Sequence, residues 1–197
     1  MADSYESVEL VSDATVTSLA SAVLLAALTA VLAYVSVPVP GIAVPFSLQP
    51  FAVFFAGLLL GPFWAGFAML VYLLVGLAGV PVFSNGGAGI GYVLGPTGGF
   101  LVGFLLAAVA IGAVVHRSID PRDVREASVV TLSLALVVGI AVIYAVGVPW
   151  LAVIQGIPIG RAAGVMAPFV PPDLLKAALT VAAVTGGDEA LSRLRRE

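Results

Sequence analysis

The chain has 197 residues, 61% of them hydrophobic and only 10% charged, with a formal net charge of −3 and a mean hydropathy of +1.16. Soluble domains carry about 25% charged residues, and a globule of this size cannot hide so much apolar surface, so a soluble class is excluded. The net negative charge predicts no nucleic-acid surface, and the absence of cysteine excludes disulfides and thiolate metal sites.

The charges are segregated. From Ala14 to Val115 there is no Asp, Glu, Lys, Arg or His, and from Ala127 to Pro172 the only charge is Arg161. The rest collect at the two ends and in "HRSIDPRDVRE" (116–126), the pattern of an integral membrane protein. The opening "MADSYESVELVSD" is acidic and lacks the basic start and cleavage site of a secretory signal. The expected organisation is one membrane domain over 1–197, with an acidic tail over 1–14 and a core over about 16–194.

A spanning helix needs about 20 apolar residues. In chain order, helix 1 is expected from Val16 to Val37, ending at "PVPG". Helix 2 follows "VPFSLQP" and runs from Pro50 to Leu60. A tight "GP" turn leads into helix 3, Phe63 to Ala78, with Pro62 in the first turn, where its missing N–H costs nothing. A glycine-rich segment covers 79–96, and helix 4 runs from Thr97 to Val115. After the charged loop comes helix 5, Ser128 to Val148. The irregular "GIPIGRAAGVMAPFVPP" precedes helix 6, Asp173 to Leu194. No long internal repeat is visible. Helix 2 is short for a crossing, so "PFSLQP" is expected as irregular backbone at membrane depth, tolerated only where protein or a wet cavity surrounds it.

Six spans put both termini on one side. Arg117, Arg122 and Arg125 between helices 4 and 5, and Arg193, Arg195 and Arg196 at the C-terminus, place both clusters in the cytoplasm by the positive-inside rule. The Pro/Gly-rich segments 38–49, 79–96 and 149–172 then all fall on the outer side. The fold class expected is an all-α integral membrane protein with six transmembrane helices and structured outer loops over a substrate pocket.

Three features invite a function. In "PFVPPDLLKAAL" (168–179), Asp173 and Lys176 share a helix face three residues apart, and Lys176 is the only lysine in the chain. Ionisable residues in a span are costly and commonly functional. Lys176 near a helix start can hold a carboxylate, and Asp173 can accept N–H donors from a ligand. The other reading is that Asp173 caps the helix and Lys176 snorkels to the interface. The second feature is "SNGGAGIGYVLGPTGGF" (84–100). Asn85 both donates and accepts, and glycines such as Gly86 let backbone approach a ligand or turn tightly. A flexible outer loop is the alternative. Its apolar content favours an ordered pocket wall. The third feature is the row Ser18, Ala22, Ala26 and Ala30 on helix 1, a small-residue face that admits another helix closely, whether internal or from a partner.

Gln49, between prolines, faces a pocket or satisfies irregular backbone. Tyr144 and Trp150 are expected in an outer aromatic belt and Arg161 in solvent. The glycine-rich segment contains no lysine, so it is not a phosphate loop, and "GAGIGY" lacks the dinucleotide-binding spacing. Any energy for uphill transport must come from a partner or an ion gradient. No carboxylate pair, nucleophile–base pair or metal cluster is present, so an enzyme is not expected and no cofactor is implied.

The segments "VPVPGIAVPFSLQPFAVFFAGLLLGP", "YLLVGLAGVPVFSNGGAGIGYVLGPTGGFLVGF" and "PFVPPDLLKA" resemble the BioY family, the substrate-capturing S components of energy-coupling-factor biotin transporters. The resemblance implies six membrane helices and capture of biotin from the outer side, under the loops after helices 1 and 3. It implies association with a transmembrane coupling protein and two ABC-type ATPase subunits in the cell membrane. Asn85 and Asp173 would bond the ureido ring of biotin, and Lys176 would take the valerate carboxylate or help position the head group. The face of Ala22, Ala26 and Ala30 resembles the family's contact with the coupling protein. The chain departs from the family pattern at Pro172, where "PGDLLK" is usual, and at Leu101, where some relatives carry a basic residue. The alternatives are an S component for another vitamin or a precursor such as dethiobiotin, and a non-transporting membrane interaction protein.

Overall fold

A computed structural model describes residues 12–119 and 121–194. The acidic tail through residue 11, with Arg195 and Arg196, falls outside the described residues. The fold is helical, and five helical stretches among the described residues are long and apolar enough to cross a membrane.

The first helix, α1 (Asp13–Tyr34), starts under a cap in which the Ser12 hydroxyl accepts from the Thr15 N–H, satisfying one of the free donors of a helix start. The chain then leaves helix three residues earlier than expected. It forms a short antiparallel ribbon, β1 (Ser36–Val37) against β2 (Phe46–Ser47), in the register Ser36 with Ser47 and Val37 with Phe46. The ribbon closes the "PVPGIAVP" loop on itself and brings Ser47 to the start of the next helix.

That helix, α2 (Gln49–Leu77), is interrupted at Gly61, whose φ of 73° and ψ of 172° are open only to glycine, followed by Pro62. Gln49 donates to the Tyr72 hydroxyl. Twenty-three residues of straight helix would separate them by about 35 Å, so the chain doubles back at Gly61. The turn lies where the "GP" pair predicted it. A Cβ on Gly112 of α4 would lie 2.6 Å from the Pro62 nitrogen, so α4 (Gly98–His116) presses directly on the hairpin tip.

The glycine-rich segment is ordered. It contains a 3₁₀ turn over Ser84–Gly86 and a short helix, α3 (Gly89–Val93). α5 (Val129–Gln155) continues through Pro149 rather than ending at Val148. The continuation buries Leu151 and Ala152, which offsets the single backbone bond that proline forfeits. The stretch expected to be irregular then forms α6 (Ile159–Met166) and a 3₁₀ turn over Ala167–Phe169. α7 (Val170–Leu194) follows, starting before Asp173 with both prolines in its first turn, where they cost little. α2 lies between α1 and α4, α4 packs on α5, and α7 touches both α5 and α2.

Candidate functional site

Five of the eight buried polar residues among the described ones, Ser47, Gln49, Ser84, Asp173 and Lys176, converge at the end where α7 begins. Asp173 and Lys176 are 9% and 4% exposed, respectively. The Lys176 ammonium donates to Asp173 Oδ1 at 2.7 Å and to the Ser47 carbonyl at 2.8 Å, and lies 4.1 Å from the centre of the Phe46 ring. Asp173 Oδ2 accepts from the Tyr144 hydroxyl at 2.7 Å. A buried ion pair is costly unless its remaining hydrogen-bonding groups are met, and here ribbon, α5 and α7 each meet part of that demand. Snorkelling is set aside because the ammonium points into the protein, and capping because α7 starts at Val170, which makes Asp173 its fourth residue.

A second polar knot adjoins the first. Gln49, 2% exposed, accepts at Oε1 from the Ser47 hydroxyl at 2.9 Å and from the Ser84 hydroxyl at 2.6 Å. Its amide donates to the Tyr72 hydroxyl, which in turn donates to the Val82 carbonyl at 3.1 Å. Phe83 packs between Tyr72 and Tyr92, edge-on to the first and stacked on the second. The ribbon, the α2 start and the glycine-rich segment are thereby tied together.

Between these knots lies a cleft of about 530 Å³, open mouth included. Gln49, Ser84, Tyr144, Asp173 and Lys176 supply its polar wall, and Phe46, Phe100, Leu101 and Phe169 are among its apolar ones. Glycine at 99 makes that wall possible, because a Cβ there would lie 2.2 Å from the Trp150 Cβ. α4 thus approaches α5 closely enough for Phe100 to meet Tyr144 edge-on at 6.2 Å.

Of the residues singled out from sequence, the fold brings Gln49, Asp173 and Lys176 together. Asn85 and Gly86 are exposed and do not line this cleft. Asn85 adopts φ +58° and accepts at Oδ1 from the Ser36 hydroxyl at 2.9 Å. It borders a second, outer cleft. The residue of "SNGG" that faces the inner cleft is Ser84. Ala22 and Ala26 are 0% and 5% exposed within this chain and Ala30 is partly buried, on a helix that packs chiefly against α2. Tyr144 and Trp150, expected in an outer belt, turn their polar atoms to the protein: the first holds Asp173 and the second donates from Nε1 to the Gly95 carbonyl at 2.9 Å. A signal for Tyr144 existed, since it stands at helical spacing from Ile140 and Gly147, which are buried. Ser47 and Ser84 carried no signal beyond being short and polar. Among the described residues no group of His, Cys, Asp and Glu could hold a metal ion.

A helical membrane bundle with a small-molecule cleft under one set of loops is the architecture of a substrate-binding membrane protein. The BioY family model matches residues 6–193, and the chain belongs to the BioY family. A probable biotin transporter of Lysinibacillus sphaericus is 46% identical over 134 residues, covering 68% of this chain and 64% of that protein, so the match spans just under two thirds of that relative's length. A probable biotin transporter of Pyrococcus horikoshii is 38% identical over 80% of this chain and 88% of its own. The biotin transporter of Rhodobacter capsulatus is 36% identical over 80% and 85%. The crystal structure of an S component for biotin from an ECF-type ABC transporter superposes with a TM-score of 0.80 at 27% identity, covering 95% of both chains.

Proposed function

We propose that this chain takes up biotin as the substrate-binding S component of an energy-coupling-factor transporter. Family membership and the likeness to a biotin S component support the class. The single observation that carries the chemistry is the buried Asp173–Lys176 pair opening onto an aromatic-walled cleft. A ureido ring offers two N–H donors and one carbonyl acceptor. Asp173 has lone pairs beyond those engaged by Lys176 and Tyr144, and Lys176 has a third N–H. The pair therefore matches the head group of biotin at no net charge, with Gln49 and Ser84 beside it. Because Lys176 is already neutralised by Asp173, the head-group role suits it better than the carboxylate role. Asn85 and Gly86 form the flap over the mouth, with Asn85 turning inward from Ser36 when ligand is held.

Counting the two arms of the α2 hairpin separately, the chain crosses the bilayer six times. Both ends and the arginine-bearing loop after α4 are then cytoplasmic, and the cleft is on the outer side. A transmembrane coupling protein with two ABC-type ATPases drives delivery inward. α1 is the docking helix, with Ala30 at the contact and Ala22 and Ala26 letting α1 approach α2. Calorimetric titration of the purified protein in detergent with biotin tests the reading. Saturable binding is expected, and no binding overturns it.

A further inference from the structure

We infer that the cleft also takes biotin whose carboxylate is tied up as an amide, including biotinyl-lysine, with affinity close to that for free biotin. This rests on the biotin reading above and concerns the other end of the ligand.

The basis is where the cations are. Of eight Lys and Arg residues, three lie at 117–125, three at 193–196, and the others are Arg161 and Lys176. Arg117 is separated from the cleft end of α4 by its 19 residues, about 28 Å of helix. Arg193 is a comparable distance from Lys176 along α7. Arg161 is exposed on α6 and lines neither cleft. Lys176 is paired at 2.7 Å. A carboxylate drawn into the inner cleft would meet no free cation and would lose its water without compensation. It must stay at the mouth.

What waits at the mouth is the outer cleft, of about 590 Å³ with its opening. It adjoins the inner one, with Pro45, Ser84, Tyr92 and Thr97 lining both, and the ligand tail would pass these residues from one cleft to the other. No charged side chain lines it. Asn85 and the backbone of the glycine-rich segment form much of its wall, and burial pushes the Tyr92 phenol above its ordinary range, so it remains a neutral hydrogen-bonding group. Such a surface offers the same partners to an amide as to a carboxylate and has room for an extension. Proteolysis of biotinylated proteins is the class of reaction that supplies such amides.

The test is competition against radiolabelled biotin bound to the purified full chain, with biotin, biotinamide and biotinyl-lysine as competitors. Both amides are expected within about tenfold of biotin. A larger loss with either overturns the inference, since a ligand carboxylate paired to a buried cation would lose about a hundredfold or more on amidation. Absence of biotin binding itself would instead overturn the biotin reading. Arg161→Ala is expected to leave the ratio of biotin to biotinamide affinities unchanged. A tenfold change in that ratio would assign the carboxylate to Arg161 and also overturn the inference.

Discussion

Two buried polar clusters lie at opposite ends of α4, and they are built for different tasks. At the cleft end, Lys176 and Asp173 hold each other, Ser47 and Tyr144 and still have hydrogen-bonding capacity left over, facing open space. At the other end is His116, fully buried. Its Nε2 lies 2.9 Å from the Leu58 carbonyl, and its Nδ1 accepts from the Arg122 N–H at 2.9 Å. An accepting Nδ1 fixes a neutral ring donating through Nε2, with both nitrogens satisfied. His116 clips the end of the first arm of α2 to α4 and to the charged loop. Burial of an ionisable group therefore does not by itself mark a site; what distinguishes the proposed one is spare hydrogen-bonding capacity beside a cleft.

Experiments can break that contrast, starting where the effect is largest. Asp173→Asn and Lys176→Met should each weaken biotin binding about a hundredfold or more and cost about 3–5 kcal/mol of stability, read by calorimetry and denaturation in detergent. The double variant should recover most of the stability and none of the binding. Recovered binding would show that the pair only holds the fold. His116→Ala should do the reverse. Leaving the Leu58 carbonyl and the Arg122 N–H without their partner should cost about 2–4 kcal/mol, with biotin affinity within about twofold. A large affinity loss would erase the distinction between the two ends. Gly112→Ala, which drives a Cβ against Pro62 at the hairpin tip, should cost about 1–3 kcal/mol, again without a binding effect. Ser84→Ala should weaken binding by about 1 kcal/mol as the Gln49 knot loses one donor. Asn85→Ala should have the smallest effect, about threefold on affinity, because an exposed amide exchanges one polar partner for another. A loss beyond tenfold would make Asn85 a principal contact rather than part of a flap.

Much of this could be read from residue order alone. The reversal at Gly61–Pro62 was legible because glycine followed by proline stops a helix by backbone sterics, whatever surrounds it. The Asp173–Lys176 pair was legible because two charges in so apolar a chain must find each other or water. Other features depend on tertiary contacts. Pro149 reads as a helix end, yet the helix continues because the residues beyond it find burial. The alanine row on α1 announces close packing without saying which helix comes close, and in this chain Ala22 and Ala26 are buried within its own core. Ser84 and Asn85 are adjacent and both polar, and only the left-handed turn at Asn85 and Gly86 decides which of the two faces inward.

Gly61 carries one more consequence. Hydropathy alone sees α2 as a single apolar stretch of 29 residues, which as a straight helix would be about 43 Å long, against a hydrocarbon core of about 30 Å. Whether it is laid down as one tilted rod or as a hairpin changes the parity of the chain. A substitution that straightened Gly61 would leave α1 in place and deliver everything downstream, the Asp173–Lys176 pair included, to the opposite face of the membrane. On the six-crossing reading proposed above, backbone geometry at a single glycine would therefore set the direction from which the cleft can be reached.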